Sequence, residues 1–287
     1  MKKTAVMKFT VESLERKPRV DRVLKDFGIS YSPPEPFIIK GGYVVIDYDL
    51  RIPYEPAILE SLMTKLSFVE DGELDFRLVF QFTEHELTTS PLFRVPSIGN
   101  IEQRYTTNKG RYQIKPFCDT CGRAIYEKVG ALKINTANVE KQNFVYVDSR
   151  LVISEKIASL FNEWELTGYQ LEQVEHYGER AKKRNAYEVI PTNILPSQKI
   201  PDEIKNDPIA RKLKCPACGT GGHLIFPYHY SKNVSEVIAD FNYSLEFQAV
   251  SEKRVKRNML ISRKVKELLI ESGFTDEEWD FEPVILI

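Results

Sequence analysis

The chain has 287 residues, and its 40 Lys and Arg residues nearly balance its 41 Asp and Glu residues, so the formal net charge is −1 with neutral histidines. This balance excludes a strongly basic protein that wraps nucleic acid and a strongly acidic disordered chain. Hydrophobic residues make up 42% of the sequence and aromatic residues 11%, which is enough for a sizeable folded core in one or two domains.

The amino-terminal segment lacks the apolar run of about 7–15 residues that a secretory signal needs. No stretch approaches the roughly 18 consecutive apolar residues of a membrane-spanning helix. We therefore expect a soluble, cytoplasmic protein without a membrane partner. Four cysteines are too few for a disulfide scaffold in such a chain, and in a reducing compartment paired cysteines more often bind metal or carry out redox chemistry.

Residues 1–110 are predicted to form a mixed α+β lobe. The run Tyr43–Ile46 and the alternating residues Leu74–Phe82 predict strands. Two proline-containing segments, Thr88–Lys109 and Pro191–Lys214, predict loops that lead into the two cysteine pairs. A helix is predicted by apolar residues at helical spacing followed by a terminating glycine, namely Val20, Val23, Leu24, Phe27 and Gly28.

The second half of the chain contains a near-repeat. Aligning Ser154 on Ser262 places Leu151–Ser154 on Met259–Ser262, and each copy reads as strand, serine, amphipathic helix and returning strand. Both serines are candidate nucleophiles, but a serine directly before a helical stripe is typical of an N-cap, which is the interpretation that we favour. We expect the two units to pack as a pseudo-symmetric pair, because each carries an apolar stripe that needs cover. These stripes are Ile157, Leu160, Phe161 and Trp164 in the first copy and Val265, Leu268 and Leu269 in the second.

The cysteines form two CxxCG motifs, Cys118–Gly122 and Cys215–Gly219. A CxxC turn directs two thiolates at one ion, and the following glycine permits a turn geometry that other residues resist. Two such turns supply the complete tetrahedral ligand set of a structural Zn²⁺, which leaves no position open for catalysis. The predicted metal ligands are Cys118, Cys121, Cys215 and Cys218.

A compact zinc ribbon has about 15–20 residues between its cysteine pairs, whereas here the first strand-helix unit lies between them, so the predicted site is split. Three alternatives remain open from the residues alone. They are a redox dithiol at Cys215 and Cys218, an iron-sulfur cluster, and two separate sites completed by His223 and His229. The apolar residues Leu224–Phe226 beside these histidines predict a strand, which favours an ordinary strand role for both.

Other candidate chemistry is weaker. His85 lies between two glutamates, and a carboxylate beside its imidazole could make it a general base. Its sequence neighbourhood offers no nucleophile, so we favour a cluster of surface residues. Asp47 and Asp49 share one face of a strand and are either metal ligands or an exposed strand edge. Two basic clusters are candidate phosphate contacts, but glutamates lie near them and aromatic residues do not interleave with them. These clusters are Arg180, Lys182, Lys183 and Arg184, and Lys253, Arg254, Lys256 and Arg257.

The two CxxCG motifs, together with the apolar-Ser-helix segments Leu151–Leu166 and Met259–Phe274, resemble the bacterial double-CxxCG motif immunity proteins. These are small cytoplasmic antidotes to toxins delivered between neighbouring cells, and the resemblance covers roughly residues 115–287. It implies a non-enzymatic protein that binds one cognate toxin on a scaffold fixed by zinc. Residues whose type suits such an interface are Arg104, Tyr105, Tyr112 and Trp279, the last of which is also expected in the core.

The predicted fold is therefore α+β. An N-terminal mixed lobe, residues 1–110, is followed by residues 111–287, a split four-cysteine, zinc-ribbon-like site with two strand-helix-strand units. The predicted function is neutralisation of a cognate protein toxin, and the alternative is a zinc ribbon that binds nucleic acid.

Overall fold

The computed structural model describes residues 1–11, 13–32, 34–38, 44–69, 75–95, 112–147, 150–178, 182–249, 253–273 and 281–287. Two compact units make up the chain. The first consists of Met1–Glu86, Pro201–Lys214 and Gly221–Phe226, and the second of Leu87–Ile200, Cys215–Thr220 and Pro227–Ile287. The first unit thus contains two segments that lie outside the predicted lobe of residues 1–110.

Helices and strands alternate irregularly along the chain, which confirms the predicted α+β class. In the described part of the chain, no helix combines the length and apolar character needed to cross a membrane. The strands are β1 (Lys2–Val11), β2 (Phe37–Ile38), β3 (Val44–Pro53), β4 (Asp75–Gln81), β5 (Leu92–Arg94), β6 (Tyr112–Cys118), β7 (Arg123–Lys128), β8 (Lys133–Ile134), β9 (Phe144–Val147), β10 (Arg150–Ser154), β11 (Tyr169–Gln173), β12 (Glu175–His176), β13 (Ala186–Pro191), β14 (Asn193–Ile194), β15 (His229–Tyr230), β16 (Phe241–Ala249), β17 (Arg254–Ser262), β18 (Glu282–Pro283) and β19 (Ile285–Leu286). The α-helices are α1 (Lys17–Asp26), α2 (Pro56–Lys65), α3 (Glu84–Thr89), α4 (Thr136–Gln142), α5 (Glu155–Glu163), α6 (Asp202–Lys205), α7 (Pro208–Leu213) and α8 (Arg263–Glu271).

The first unit is built on an antiparallel sheet with strand order β2-β3-β1-β4. From Ile46 onward β3 alternates, so Tyr48, Leu50 and Ile52 are buried while the intervening side chains are exposed. Helix α1 packs Val20 and Leu24 into the same core. It confirms the predicted helix, and Gly28 follows it with a φ of +66°. Leu74 and Tyr43, which belong to the two predicted strands, lie outside the described residues.

Helices α6 and α7 occupy the segment that was predicted to be a loop from its prolines. Pro208 stands in the first turn of α7, where its missing N–H leaves no helical hydrogen bond unmade. Asp207 caps the helix by accepting a hydrogen bond from the amide of Ala210, and the hydroxyl of Tyr54 donates to the same carboxylate at 2.8 Å. Ile209 is fully buried in the core of the first unit. Burial of this side chain favours a helix here, although the prolines predict a loop.

The second unit is built around a seven-stranded sheet and a four-stranded sheet. In the larger sheet the order is β14-β16-β17-β5-β18, and the β6-β7 hairpin joins it through parallel pairing of β7 with β17. The smaller sheet has the order β11-β13-β10-β9. Strand β5 lies inside the predicted loop Thr88–Lys109, where Leu92 and Phe93 are fully buried, and residues 96–109 of that segment lie outside the described residues.

The two copies of the near-repeat are β10 with α5 and β17 with α8. Ser154 accepts a hydrogen bond from the amide of Ile157, and Ser262 accepts one from the amide of Val265, so both serines are N-caps as predicted. The apolar stripes of both helices pack into one core, with Phe161 from the first copy and Leu269 from the second. Phe274, Thr275 and Trp279 of the second copy lie outside the described residues.

Candidate metal centre

The first CxxCG motif is the turn of the β6-β7 hairpin. Cys118 ends β6 and is paired in register with Arg123, the first residue of β7. Gly122 has a φ of +67°, and a Cβ atom at that position would meet nothing within 4 Å. The left-handed backbone conformation, rather than lack of space, is therefore the reason for the glycine, as the sequence predicted.

The second CxxCG motif follows α7 and closes on itself. The amide of Gly219 donates to the carbonyl of Cys215 at 2.9 Å, and the amide of Cys215 donates to the carbonyl of Thr220 at 3.0 Å. Gly219 has a φ of +72° and so repeats the conformation of Gly122. The two motifs form similar turns although the chain enters one from a strand and the other from a helix.

The two turns bring all four cysteine sulfurs together in the second unit. Every Sγ lies within 4.8 Å of the others, and the four cysteines are free thiols. The Sγ atoms of Cys118 and Cys215 are 3.9 Å apart, and those of Cys121 and Cys218 are 3.8 Å apart. Four sulfurs bound tetrahedrally at about 2.3 Å from one ion would be about 3.8 Å apart. The cluster therefore has the size of a single-ion site, and it unites the two pairs that the sequence left open as separate sites.

Backbone amides make this cluster suited to a cation. Hydrogen bonds to the sulfur of Cys215, the strongest from the amide of Cys218 and another from the amide of Ala217, lower the pKa of this thiol to about 6. The amide of Arg123 likewise lowers the pKa of Cys121. Burial raises the pKa of Cys218, whose Sγ lies 3.2 Å from Oγ1 of Thr220. A bound cation would reverse this increase, because it stabilises each thiolate that coordinates it.

His229 does not join the cluster, and the side chain of His223 lies outside the described part of the chain. Among the described residues, the metal-binding group consists of the four cysteines alone. His229 lies on β15, as predicted, but the predicted strand Leu224–Phe226 is wrong, since Gly222–Ile225 form a 3₁₀ helix. A Cβ atom on Gly221, whose φ is +85°, would come within 2.3 Å of the carbonyl oxygen of Leu213, so the glycine allows a tight turn in place of an extended strand.

The other carboxylate and histidine candidates are engaged elsewhere or lie on the surface. The hydroxyl of Thr10 donates to Asp47 at 2.7 Å, and Lys8 forms an ion pair with Asp49 at 2.7 Å. His85 is exposed on α3. Its neighbour Glu86 forms a capping box with Thr83, in which each residue accepts a hydrogen bond from the other's amide.

The basic residues of β17 contact aromatic rings from other strands. The guanidinium of Arg254 lies 5.6 Å and 5.2 Å from the ring centres of Tyr112 and Tyr126. The ammonium of Lys256 lies 5.7 Å from the ring centre of Tyr146. Aromatic residues do not interleave with this cluster in the sequence, and the rings that its side chains contact come from β6, β7 and β9.

The other basic cluster fits its sequence interpretation as a solvated face. Lys182 and Lys183 are exposed, and Arg184 forms an ion pair with Glu140 at 2.7 Å. Arg180 lies outside the described residues. Of the residues whose type suits a protein interface, Tyr112 lies on β6, and Arg104, Tyr105 and Trp279 also lie outside the described residues.

No protein-family model matches the chain, and no curated protein matches it. A solved structure titled "De novo designed protein Foldit4" aligns with 29% of this chain and 100% of its own, with 13% sequence identity and a TM-score of 0.21. A TM-score of that size carries no argument about fold or function.

Proposed function

We propose that Cys118, Cys121, Cys215 and Cys218 bind one structural Zn²⁺ and that the protein acts by binding a partner rather than by catalysis. The observation that carries the proposal is the convergence of the four sulfurs within 4.8 Å. A complete thiolate set favours Zn²⁺ over oxygen-seeking cations and leaves no coordination position for a substrate. We also propose that the site is zinc-ribbon-like.

The cysteines would stabilise the fold by joining distant parts of the chain. Cys118 and Cys215 are 97 positions apart, so bringing them together restrains a long loop that includes the first strand-helix unit. The amides directed at Cys121 and Cys215 lower the pKa of both thiols and so favour the thiolate forms that bind a cation. Binding of the ion and folding of the surrounding turns would therefore be coupled.

The partner that we propose is a cognate bacterial toxin, which would make the protein an immunity protein. The support is the resemblance in the two CxxCG motifs and the two strand-serine-helix segments, together with the observation that both helices pack into one core. Such a protein needs a rigid scaffold that presents a surface to one partner, and specific interfaces of this kind bury about 1,200–2,000 Å². An antidote that neutralises a toxin by covering part of its surface needs no catalytic group of its own.

Two measurements test this proposal. Elemental analysis of purified protein should find about one zinc per chain, and Cys118→Ser and Cys215→Ser should each lose it, while Asp119→Asn, an exposed change within the first motif, should keep it. The product of the adjacent reading frame should bind the protein and kill cells that lack it. A folded, metal-free wild-type protein would refute the zinc site, and the absence of a toxic neighbour that binds the chain would refute the immunity function.

A second candidate function is nucleic-acid binding, and one observation favours it. Arg254 and Lys256 lie against tyrosine rings, and cation and aromatic side chains together contact single-stranded nucleic acid in many proteins. This function predicts binding whose affinity falls steeply as salt rises. An affinity that does not change with salt would remove this candidate.

A further inference from the structure

Two of the contacts among the four cysteine sulfurs join the first CxxCG motif to the second. The Sγ atom of Cys118 lies 3.9 Å from that of Cys215, and the Sγ atom of Cys121 lies 3.8 Å from that of Cys218. Each pair has the geometry of a thiol hydrogen bond, and all four residues are free thiols. Direct thiol contacts therefore link two segments of the second unit that are 97 positions apart in the chain.

The sulfurs of each pair are close to the separation that a disulfide needs. An S–S bond is about 2.05 Å long, so each pair has to approach by about 1.8 Å. A change between staggered rotamers moves an Sγ atom by a comparable distance. The remaining approach is therefore of the size of a side-chain movement.

Backbone hydrogen bonds hold the turns that carry these sulfurs. In the second motif the amide of Gly219 donates to the carbonyl of Cys215, whose own amide donates to the carbonyl of Thr220. In the first motif Cys118 is paired with Arg123 across the β6-β7 hairpin. None of these bonds involves a sulfur atom, so loss of a bound ion breaks none of them directly.

We propose that the metal-free cysteine cluster is a site of oxidation by hydrogen peroxide, at which Cys118 bonds to Cys215 and Cys121 bonds to Cys218. The inference goes beyond the proposed function. It uses the same four residues, but it rests on the contacts between their sulfurs and not on the identity of an ion. The two cross-links keep the halves of the split site together under oxidising conditions.

The reaction at each pair consumes one peroxide molecule. The thiolate sulfur of one cysteine attacks a peroxide oxygen and breaks the O–O bond, which gives a sulfenic acid and hydroxide. The partner cysteine, also as a thiolate, attacks the sulfenic sulfur, forms the S–S bond and expels a second hydroxide. The protons released by the two thiols convert both hydroxides to water. Two thiols are thus oxidised to one disulfide while one peroxide is reduced to two water molecules.

Pairing between the motifs stabilises the fold more than pairing within a motif. A disulfide between residues 97 positions apart closes a long loop and restrains the unfolded chain strongly, whereas one within a CxxC turn closes a very short loop. Oxidised metal-free protein should therefore have a thermal midpoint about 10 °C above that of reduced metal-free protein. Calorimetry of both forms in the presence of a chelator measures the shift.

Peptide mapping of the wild-type protein without reductant tests the pairing directly. Protein stripped of metal by a chelator is treated with about two equivalents of hydrogen peroxide per chain, one for each disulfide. Trypsin then leaves the two cysteines of each motif on one peptide, residues 112–123 and residues 215–232. The two peptides should be joined. Cleavage before Asp119 separates Cys118 from Cys121, and fragmentation of the products should assign Cys215 and Cys218 as their respective partners.

Two double variants provide a matched control. Cys121→Ser combined with Cys218→Ser keeps one contacting pair and should form a cross-link within the chain. Cys215→Ser combined with Cys218→Ser keeps only the two cysteines of the first motif and should lose its thiols to peroxide at least about tenfold more slowly. The map of the wild-type protein decides the pairing even if a variant does not fold.

The proposal is overturned if each peptide carries its own disulfide, if Cys118 pairs with Cys218, or if the cysteines end as sulfinic acids. Equal thermal midpoints of the oxidised and reduced metal-free forms would also overturn it. Elemental analysis decides the zinc proposal separately, because a protein that binds no zinc can still give the expected map and a zinc protein can fail to give it.

Discussion

The Sγ atom of Cys121 lies 3.8 Å from the Sγ atom of Cys218, although 97 positions separate the two residues. This distance equals the edge of a tetrahedron of sulfurs around one ion at a bond length of about 2.3 Å. Four thiolates at such spacing repel one another unless a cation lies between them. The stability of the second unit should therefore depend on metal.

Replacement of one ligand tests this dependence. Cys218→Ser should abolish tight zinc binding and lower the thermal midpoint by more than about 10 °C, because the apparent binding free energy of a structural zinc site reaches about 10 kcal/mol. Differential scanning calorimetry with and without a strong chelator measures the effect. Asp119→Asn keeps all four sulfurs and should resemble the wild type, and a chelator that leaves the wild-type midpoint unchanged would contradict the prediction.

Gly122 of the metal centre and Gly28 of the first unit provide a second test, in which all four sulfurs are kept. Gly122→Ala should lower zinc affinity by about tenfold, because an alanine at a φ of +67° costs about 1–2 kcal/mol. Gly28→Ala imposes the same backbone strain at the end of α1 in the first unit, where φ is +66°. It should lower stability while leaving zinc affinity unchanged. Competition titration against a zinc-binding dye separates the two results, and equal zinc affinities for both variants would exclude this role for Gly122.

Local sequence signals predicted those features that depend on neighbouring residues. The helix α1, both serine caps and both CxxCG turns follow from spacing over fewer than about ten residues. Strand β5 was missed because its three residues are too short to show a period, and burial of Phe93 by distant segments decides its structure.

The candidate sites divide in the same way. The cysteine cluster was predictable because each half is a compact motif with known ligand chemistry. The environment of Lys256 was not, since Arg94 and Arg150, whose charges lower its pKa, come from β5 and β10 and share no sequence pattern with it. Likewise, Tyr146 lies against Lys256 only because β9 and β17 meet in the folded unit.

The matched serines allow a test of capping against catalysis. Ser154→Ala and Ser262→Ala should each lower the free energy of unfolding by about 1 kcal/mol, because each removes an oxygen that accepts an amide hydrogen bond in the first helical turn. Ser159→Ala, an exposed change within α5, should have less than about half that effect. Denaturant unfolding measures the differences. Labelling of Ser154 or Ser262 by a serine-directed fluorophosphonate would instead indicate a nucleophile.

The buried carboxylate of Glu188 should be the most sensitive charged group of the second unit. It is 1% exposed and lies 2.5 Å from Lys128 and 2.6 Å from Arg150. Glu188→Gln should destabilise the protein by about 3–5 kcal/mol, because it leaves two cations without their shared partner. Glu172→Gln removes the more exposed partner of the same lysine and should cost at most about 1 kcal/mol. Similar losses for the two variants in urea unfolding would contradict this interpretation.

Lys256 makes the stability of the protein depend on pH in the alkaline range. Burial, followed by the charges of Arg94, Arg254 and Arg150, lowers its pKa from 10.5 to about 8 in the folded chain. Between these two values the unfolded chain binds more protons than the folded chain, so the free energy of unfolding rises with pH across that window. Below pH 8 the lysine is charged in both states, and its burial then destabilises the fold by at most about 3 kcal/mol.

Lys256→Met should therefore be more stable than the wild type at pH 7, and the difference should shrink as the pH rises from about 8 to about 10.5. Urea unfolding of both proteins across this range measures the difference, and subtraction cancels the titration of all other groups. Lys253→Met, at an exposed position of the same segment, should follow the wild-type curve at every pH. A Lys256→Met protein that is less stable than the wild type at pH 7, with a constant difference at higher pH, would show that the ammonium is neutralised by a partner in the folded chain.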